Sequence, residues 1–457
     1  MSSTDYLAQL CAEEEERQLM TLNLIASENY PTRRVREMLN TPFLTKYAEG
    51  YPGVRYYGGC SVVDKLEKYA CELASNVFSM PYANVQPHSG AQANMAVYQA
   101  LLKPGDTVLA IGLKEGGHLT HGSPVNQSGK LYHFISYSVD TYSPTAKRDV
   151  GFDWASDYTN ERKYVIEMFR ELVRYHKPRL IILGGSSALD TIPWEIAREA
   201  ANEVSAYLMA DIAHIAGFVP IVHDIQLEYR PELVDVITMT TQKSLRGPRG
   251  GIILSRDPAI AKKIDSAVFP GTQGGPHMNV IAAKAAVLEE AMTRDYANYQ
   301  KTVVEVADRF YDRFDELCDN RFRNKVIYRN RKVMPHMVII NTKLMGRTGA
   351  EVQEALEKHS IIVNKQLLPK DTEKPSVTSG IRLGFNALVA LHSESNAGSP
   401  NGLYPITHLA RAIFETITQG APEKKNLIIL HDYLRARKEN FKRLQSAKEE
   451  ASCLNYA

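Results

Sequence analysis

One lysine, Lys243, stands in the stretch TTQKSLRGPRGG, between the β-branched run VDVITM and the apolar run IILS. An ε-amine at the end of a buried strand has two chemistries open to it. It is either a solvated charge or a nucleophile that condenses with a carbonyl in a cleft that lowers its pKa. The choice depends on which other groups share the cleft. HSGAQAN places Ser89 and Gly90 where a helix begins, and free backbone N–H groups at the positive end of a helix dipole bind an anion such as a phosphate. DIAH follows the apolar YLMA, so Asp211 and His214 emerge at the carboxyl end of a strand, the edge where parallel sheets bind ligands. A carboxylate in that apolar setting requires a cationic partner, and a protonated pyridine nitrogen would be one. Anion-binding helix start, aspartate after one strand and lysine after the next describe in that order a site for pyridoxal 5′-phosphate: phosphate anchor, pyridinium partner and Schiff-base lysine.

Those residues need a sheet to hold them. RLIILGG, YLMAD, VDVITMTT and GGIILS read as strands and WEIAREAANEVSA as an amphipathic helix, so the spacing predicts an α/β fold with a mostly parallel sheet and crossover helices. MNVIAAKAAVLEEAMTRDYANYQKTVVEVADRFYDRFDEL reads as a long helical stretch leading to a second, smaller C-terminal α+β domain. The expected boundaries are an N-terminal arm over 1–41, a large cofactor-binding domain over 42–277 and a small domain with a helical tail over 278–457. The last segment, HDYLRARKENFKRLQSAKEEA, is charged and reads as a solvated helix or a tail.

Composition narrows the class further. At 457 residues with 44% hydrophobic and 23% charged residues, the chain has the make-up of an ordinary globular protein. A net charge of +2 gives no argument for nucleic acid or membrane as a partner. The N-terminal MSSTDYLAQLCAEEEERQ is acidic and lacks the basic then apolar pattern of a signal peptide. The cysteines Cys11, Cys60, Cys71, Cys318 and Cys453 are scattered without metal-ligand spacing, which fits reduced thiols in a cytoplasmic protein and no metal.

The motifs LIASEN, KYAEGYPGVRYYGGC, VQPHSGAQAN, GGHLTHGSPVNQSGKLY, AYLMADIAHIAGF, TTQKSLRGPRGG, FPGTQGGPH and SGIRLG resemble those of serine hydroxymethyltransferases, fold-type I pyridoxal-phosphate enzymes, over nearly the whole chain. The resemblance implies that Lys243 carries the cofactor as an internal aldimine, that Asp211 holds the pyridine nitrogen and that His118 stacks on the ring. Ser89, Gly90, Ala91, Thr240 and Tyr47 would hold the cofactor, with Gly274 and Gly275 reaching its phosphate from a second subunit. His214 and Ser187 would meet its phenolic oxygen. Arg382, assisted by Ser27 and Tyr57, would bind the amino acid's carboxylate, the geometry a guanidinium fork suits. Glu49, from the partner subunit, would move a proton at the β-hydroxyl or at the aldehyde fragment. The implied reaction is retro-aldol cleavage of serine or threonine through a glycyl quinonoid in a homodimer or higher homo-oligomer with shared sites.

Departures from the family pattern bear on the acceptor of the released fragment. Gln242 stands before the lysine where the family has histidine, Glu115 precedes GGHLTHG, Phe385 and Asn386 follow SGIRLG, and Gln366 occupies the position of an asparagine that holds the pteridine of tetrahydrofolate. Leu113, Gly117, Leu119 and Tyr56, by contrast, match the folate pocket. The departures bring tetrahydrofolate into question and set, beside hydroxymethyl transfer, a folate-independent threonine aldolase or transaldolase that hands the glycyl unit to another aldehyde. The stretch KRDVGFDWASDYTNERKYV matches poorly and reads as longer than expected. His121 reads equally as a structural histidine or as part of the chemistry, and Arg246 as an ion-pair partner.

Overall fold

The computed structural model describes residues 3–139, 154–323, 325–394 and 405–454. Residues 147–153 of the poorly matched stretch lie outside them. The main sheet has seven strands: β1 (Tyr82–Asn84), β2 (Thr107–Ile111), β3 (His133–Tyr137), β4 (Leu180–Leu183), β5 (Tyr207–Asp211), β6 (Val236–Thr240) and β7 (Gly251–Ser255), in the spatial order β1-β7-β6-β5-β4-β2-β3. From β6 to β3 all neighbours are parallel. These strands are nearly continuous β-branched and apolar runs, as a sheet covered on both faces requires.

β7 is the exception in this mostly parallel sheet: it runs antiparallel to both β6 and β1. The reason lies in its connection. β6 and β7 are joined by residues 241–250, which contain no helix, and a parallel pairing needs a crossover of a dozen or more residues. The chain must therefore turn straight back, and Lys243 rides on that turn.

A second sheet has four antiparallel strands, β8 (Ile327–Tyr328), β9 (Met337–Asn341), β10 (Asn364–Gln366) and β11 (Gly380–Gly384), in the order β8-β9-β11-β10. Among the helices are α1 (Ser3–Leu19), α2 (Gly90–Leu101), α3 (Trp194–Glu203), α4 (Met278–Ala291), α5 (Arg294–Leu317) and α6 (Lys424–Leu454). The long helical stretch of the sequence is in fact the pair α4 and α5, interrupted because Thr293 caps a new helix by accepting from the Tyr296 N–H.

The charged C-terminal segment is not simply a solvated tail. Arg437 on α6 is fully buried and donates to the carbonyls of Gln18, Leu19 and Thr21 at 3.2, 2.6 and 2.9 Å. Those carbonyls lie where α1 ends and have no helical partner. All three bonds come from Nη2, around which the carbonyls converge, while Nε and Nη1 are buried without a hydrogen-bond partner among the described residues.

Candidate active site

The cavity that opens at the carboxyl end of the parallel strands has a volume of about 440 Å³ and is lined by Ser89, Gly90, Ala91, His118, Asp211, His214, Thr240, Lys243 and Arg382 among others. α2 begins at one end of it. Ser89 caps that helix by accepting from the Gln92 N–H at 3.2 Å, which leaves the Gly90 and Ala91 N–H groups facing the cavity as an anion site. Glycine is required at 90, because a Cβ there would lie 2.4 Å from the Thr240 side chain. Lys284 on α4 fixes this corner from behind. Fully buried, its ammonium donates to Val85, Pro87 and Gly251 at 2.7, 3.0 and 2.8 Å, tying the loop that enters the cradle to the strand that leaves the lysine turn.

At the other end lies Asp211. Its carboxylate accepts from Asn94 Nδ2 at 2.9 Å and lies 3.2 Å from His121 Nε2, while its other oxygen accepts from the Ala213 N–H at 3.1 Å. Burial raises this carboxyl, but the hydrogen bonds from His121 and Asn94 and the charges of His121 and His118 outweigh it and hold the group well below the usual carboxylate range. Asp211 is thus a fixed anion. His121 takes a part in the site after all, and Asn94 is a residue that sequence reasoning missed, although it sits on the same helix face as the cradle in HSGAQAN. His118 lines the cavity, and burial pushes its pKa down to about 4, aided by His121 and Lys243 and opposed by Asp211. It is a neutral ring, suited to stacking.

Lys243 is 9% exposed. Burial pushes its pKa down to about 8; Asp211 opposes the fall, and Arg382 and Arg249 add to it. Its Nζ lies 3.1 Å from Nε2 of His214. The turn that carries it is held at several points: Asn29 of LIASEN donates to the Lys243 carbonyl at 2.9 Å, and Gln242 accepts from the Gly250 N–H at 3.3 Å. Arg246, in the left-handed region at φ 70°, donates to the Tyr30 carbonyl at 2.7 Å and lies over the Tyr299 ring. The surroundings must offset the strain of that conformation, which fixes the lysine's approach.

Arg382 completes the cavity. It sits on β11 between β9 and β10, opposite Ile339 and Asn364. Its Nε donates to Asn364 Oδ1 at 3.1 Å and its Nη1 to the Ser186 carbonyl at 2.9 Å. No carboxylate of the described residues lies within ion-pair distance of it, and burial pushes its pKa down to about 10. A guanidinium so placed awaits an anion. Ser27 and Glu28 line the same wall; Glu28, which accepts from Asn23 at 2.7 Å, was another residue without a clear sequence signal.

Other expected residues are placed elsewhere. Tyr47, Glu49, Tyr57, Gly274 and Gly275 do not line this cavity. They form a cluster of their own: the Tyr47 and Tyr57 rings are 5.7 Å apart, and a Cβ on Gly275 would lie 3.3 Å from Glu49 and 3.6 Å from Tyr47. Tyr47, Tyr56 and Tyr57 are exposed, so their motif is not core packing in the single chain. Ser187 lines a neighbouring cavity while Ser186 faces the one with Lys243.

That neighbouring cavity, of about 170 Å³, lies between the two sheets and is lined by Glu115, Gly116, Ser187, Leu189, Ile339 and Leu367 among others. Of the departures from the family pattern, only Gln242 lines the cavity with Lys243. Phe385 packs in the core against Phe310, Asn386 is buried, and the Gln366 amide donates to the adjacent Leu367 carbonyl at 2.8 Å.

Helix cradle, fixed aspartate, buried amine and unpaired guanidinium fit pyridoxal 5′-phosphate with an amino acid beside it. Comparisons with known proteins agree. The family model described as serine hydroxymethyltransferase matches residues 1–397. A protein named serine hydroxymethyltransferase from Lactobacillus gasseri is 44% identical over 384 residues, 84% of this chain and 87% of that protein. One of the same name from Phytoplasma australiense is 46% identical over 383 residues, covering 83% and 86%, and one from Methylococcus capsulatus is 44% identical over 382 residues, covering 82% and 84%.

Proposed function

The chain belongs to the serine hydroxymethyltransferase family, and from that premise we propose how its residues divide the work. The protein is a pyridoxal-phosphate-dependent transferase that cleaves the Cα–Cβ bond of a β-hydroxy-α-amino acid in the retro-aldol sense. When bound, the cofactor supplies the electron sink for that cleavage. Lys243 is the anchoring amine, Asp211 holds the charge on the ring nitrogen, Ser89, Gly90, Ala91 and Thr240 receive the phosphate, and His118 covers the ring. Arg382, with Ser27, grips the substrate carboxylate and so sets which Cα bond lies across the ring. The single observation that carries this reading is the unpaired guanidinium of Arg382, held on both sides by strands, in one cavity with Lys243 and Asp211.

The acceptor is tetrahydrofolate in this reading, its pterin entering the cavity between Glu115, Gly116 and Leu367. The partner is a second copy of the chain: the cluster of Tyr47, Glu49, Tyr57, Gly274 and Gly275, partly exposed in the single chain, would complete the other copy's site, with Glu49 moving the proton at the β-hydroxyl or the aldehyde fragment. The arm over 1–41, the large domain over 42–277 and the small domain over 278–457 fit the placement of the two sheets. No helix among the described residues is long and apolar enough to cross a membrane, and we place the protein in the cytoplasm.

The test is the conversion of serine to glycine with and without tetrahydrofolate, by wild type, Lys243→Ala, Glu49→Ala and a mixture of the two variants refolded together. Folate-dependent turnover lost in each variant and partly regained in the mixture is the expected result. An unchanged visible absorbance in Lys243→Ala would sink the lysine assignment, and no regain in the mixture would sink the shared site.

A further inference from the structure

Behind Lys243 lies a row of three rings, two of which, His336 and Phe218, the reaction described above does not use. His336 is wholly buried. Its ring lies 5.6 Å from that of His214 at an interplanar angle of 17°, and on its other side 5.6 Å from Phe218 at 24°. His336 Nε2 is 3.4 Å from His214 Nδ1, and His214 Nε2 is 3.1 Å from the Lys243 amine. The three groups form a line from the second sheet to the reactive nitrogen.

Protons in that line are constrained. Burial holds both imidazoles neutral, His336 at about 3 and His214 well below its ordinary value, so each ring carries a single N–H. Two facing nitrogens then need one donor and one acceptor. Opposite a Lys243 ammonium, which can only donate, His214 Nε2 must offer its lone pair. Its Nδ1 therefore carries the hydrogen, and His336 Nε2 accepts it. The His336 Nδ1 hydrogen approaches the Ala26 backbone at a geometry short of a full hydrogen bond. His336 directly precedes β9, and its carbonyl accepts from the Phe385 N–H at 3.1 Å just beyond β11. It thus stands on the ladder that carries Arg382.

We propose that His336 is a positioning residue: by accepting from His214 Nδ1 it holds the His214 Nε2 lone pair on Lys243 and ties the reactive amine to the ladder that grips the substrate carboxylate. The proposal rests on Lys243 being the cofactor's lysine. Without the acceptor at 336, His214 is free to take the other tautomer, whose Nε2–H donates to the neutral amine and favours it. Other groups act on the amine too, Asp211 from β5, Arg382 from β11, Arg249 from the same turn and His118 from the far wall, and His336 itself feels the charges of Arg382 and Arg329, but its Nε2 faces His214 alone.

The experiment is the capture of pyridoxal phosphate by the apoprotein, followed as growth of the visible band across pH, in wild type, His336→Phe and His336→Gln. Phenylalanine keeps the stack and removes both nitrogens, while glutamine restores an acceptor near the position of Nε2. The expected result is a capture midpoint lowered by about one pH unit in the phenylalanine variant, the size of one hydrogen bond, and brought back toward wild type in the glutamine variant. If phenylalanine does not give folded protein, His336→Met, which fills the volume without a nitrogen, takes its place. Midpoints equal to wild type in all variants overturn the proposal, as does an equal displacement in all of them, which would mean packing alone. A wild-type midpoint near that of an ordinary exposed lysine would instead overturn the reading of Lys243 on which the proposal rests.

Discussion

Replacing Arg382 tests whether the cavity is built for an amino-acid carboxylate. The guanidinium is oriented before any substrate arrives, because Asn364 and the Ser186 carbonyl hold Nε and Nη1 and strands flank it on both sides. Hydrogen bonds to charged groups contribute about 1.5–3 kcal/mol each, so a bidentate grip lost in Arg382→Ala costs about 3–6 kcal/mol, a factor of roughly 10² to 10⁴ in kcat/KM. Arg382→Lys keeps the charge but cannot satisfy Asn364, Ser186 and two carboxylate oxygens with one ammonium. It should recover only about one of the two bonds, leaving a loss of roughly 10- to 100-fold. The assay is the steady-state rate of serine cleavage in cofactor-loaded protein, with loading checked by absorbance so that cofactor loss is separated from substrate loss. A second arm uses 2-aminoethanol, which has the amine and hydroxyl of serine and no carboxylate: its binding should be the same in wild type and Arg382→Ala. A change of less than about threefold for serine, or an equal loss for serine and 2-aminoethanol, refutes the carboxylate role.

Two further outcomes follow from groups already placed. The free amine is the nucleophile, so capture of the cofactor by the apoprotein should rise with pH through about 8, where burial has brought Lys243, and level off above it; a rise continuing toward the ordinary lysine value in a pH series would contradict the cavity's effect. Arg437→Met should leave the Gln18, Leu19 and Thr21 carbonyls without their donor and lower stability by about 3 kcal/mol, the scale for unsatisfied buried groups. Urea unfolding measures this, and a variant with wild-type stability would show that α6 is held to α1 by other contacts.

The placement of Ser89, Asp211 and Lys243 was legible in the sequence because each element announces its own end. The β-branched runs before Asp211 and Lys243 and the serine before Gly90 place all three groups at strand or helix termini, and a parallel sheet gathers such termini along one edge. Periodicity could not show that β7 turns back on β6, since apolar strands look alike in either direction and only the length of the connection decides between them. Nor could it show that the charged C-terminal helix buries an arginine, because that depends on which carbonyls the far end of the chain leaves open. Local sequence determined at which ends of which elements the candidate residues stand. The long-range contacts that place His121 and Asn94 on Asp211, His336 behind Lys243 and Arg382 without a counter-ion were decided only by the tertiary fold, because a charge or a ring nitrogen takes its role from the groups it meets in space, and those come from strands far apart in the chain.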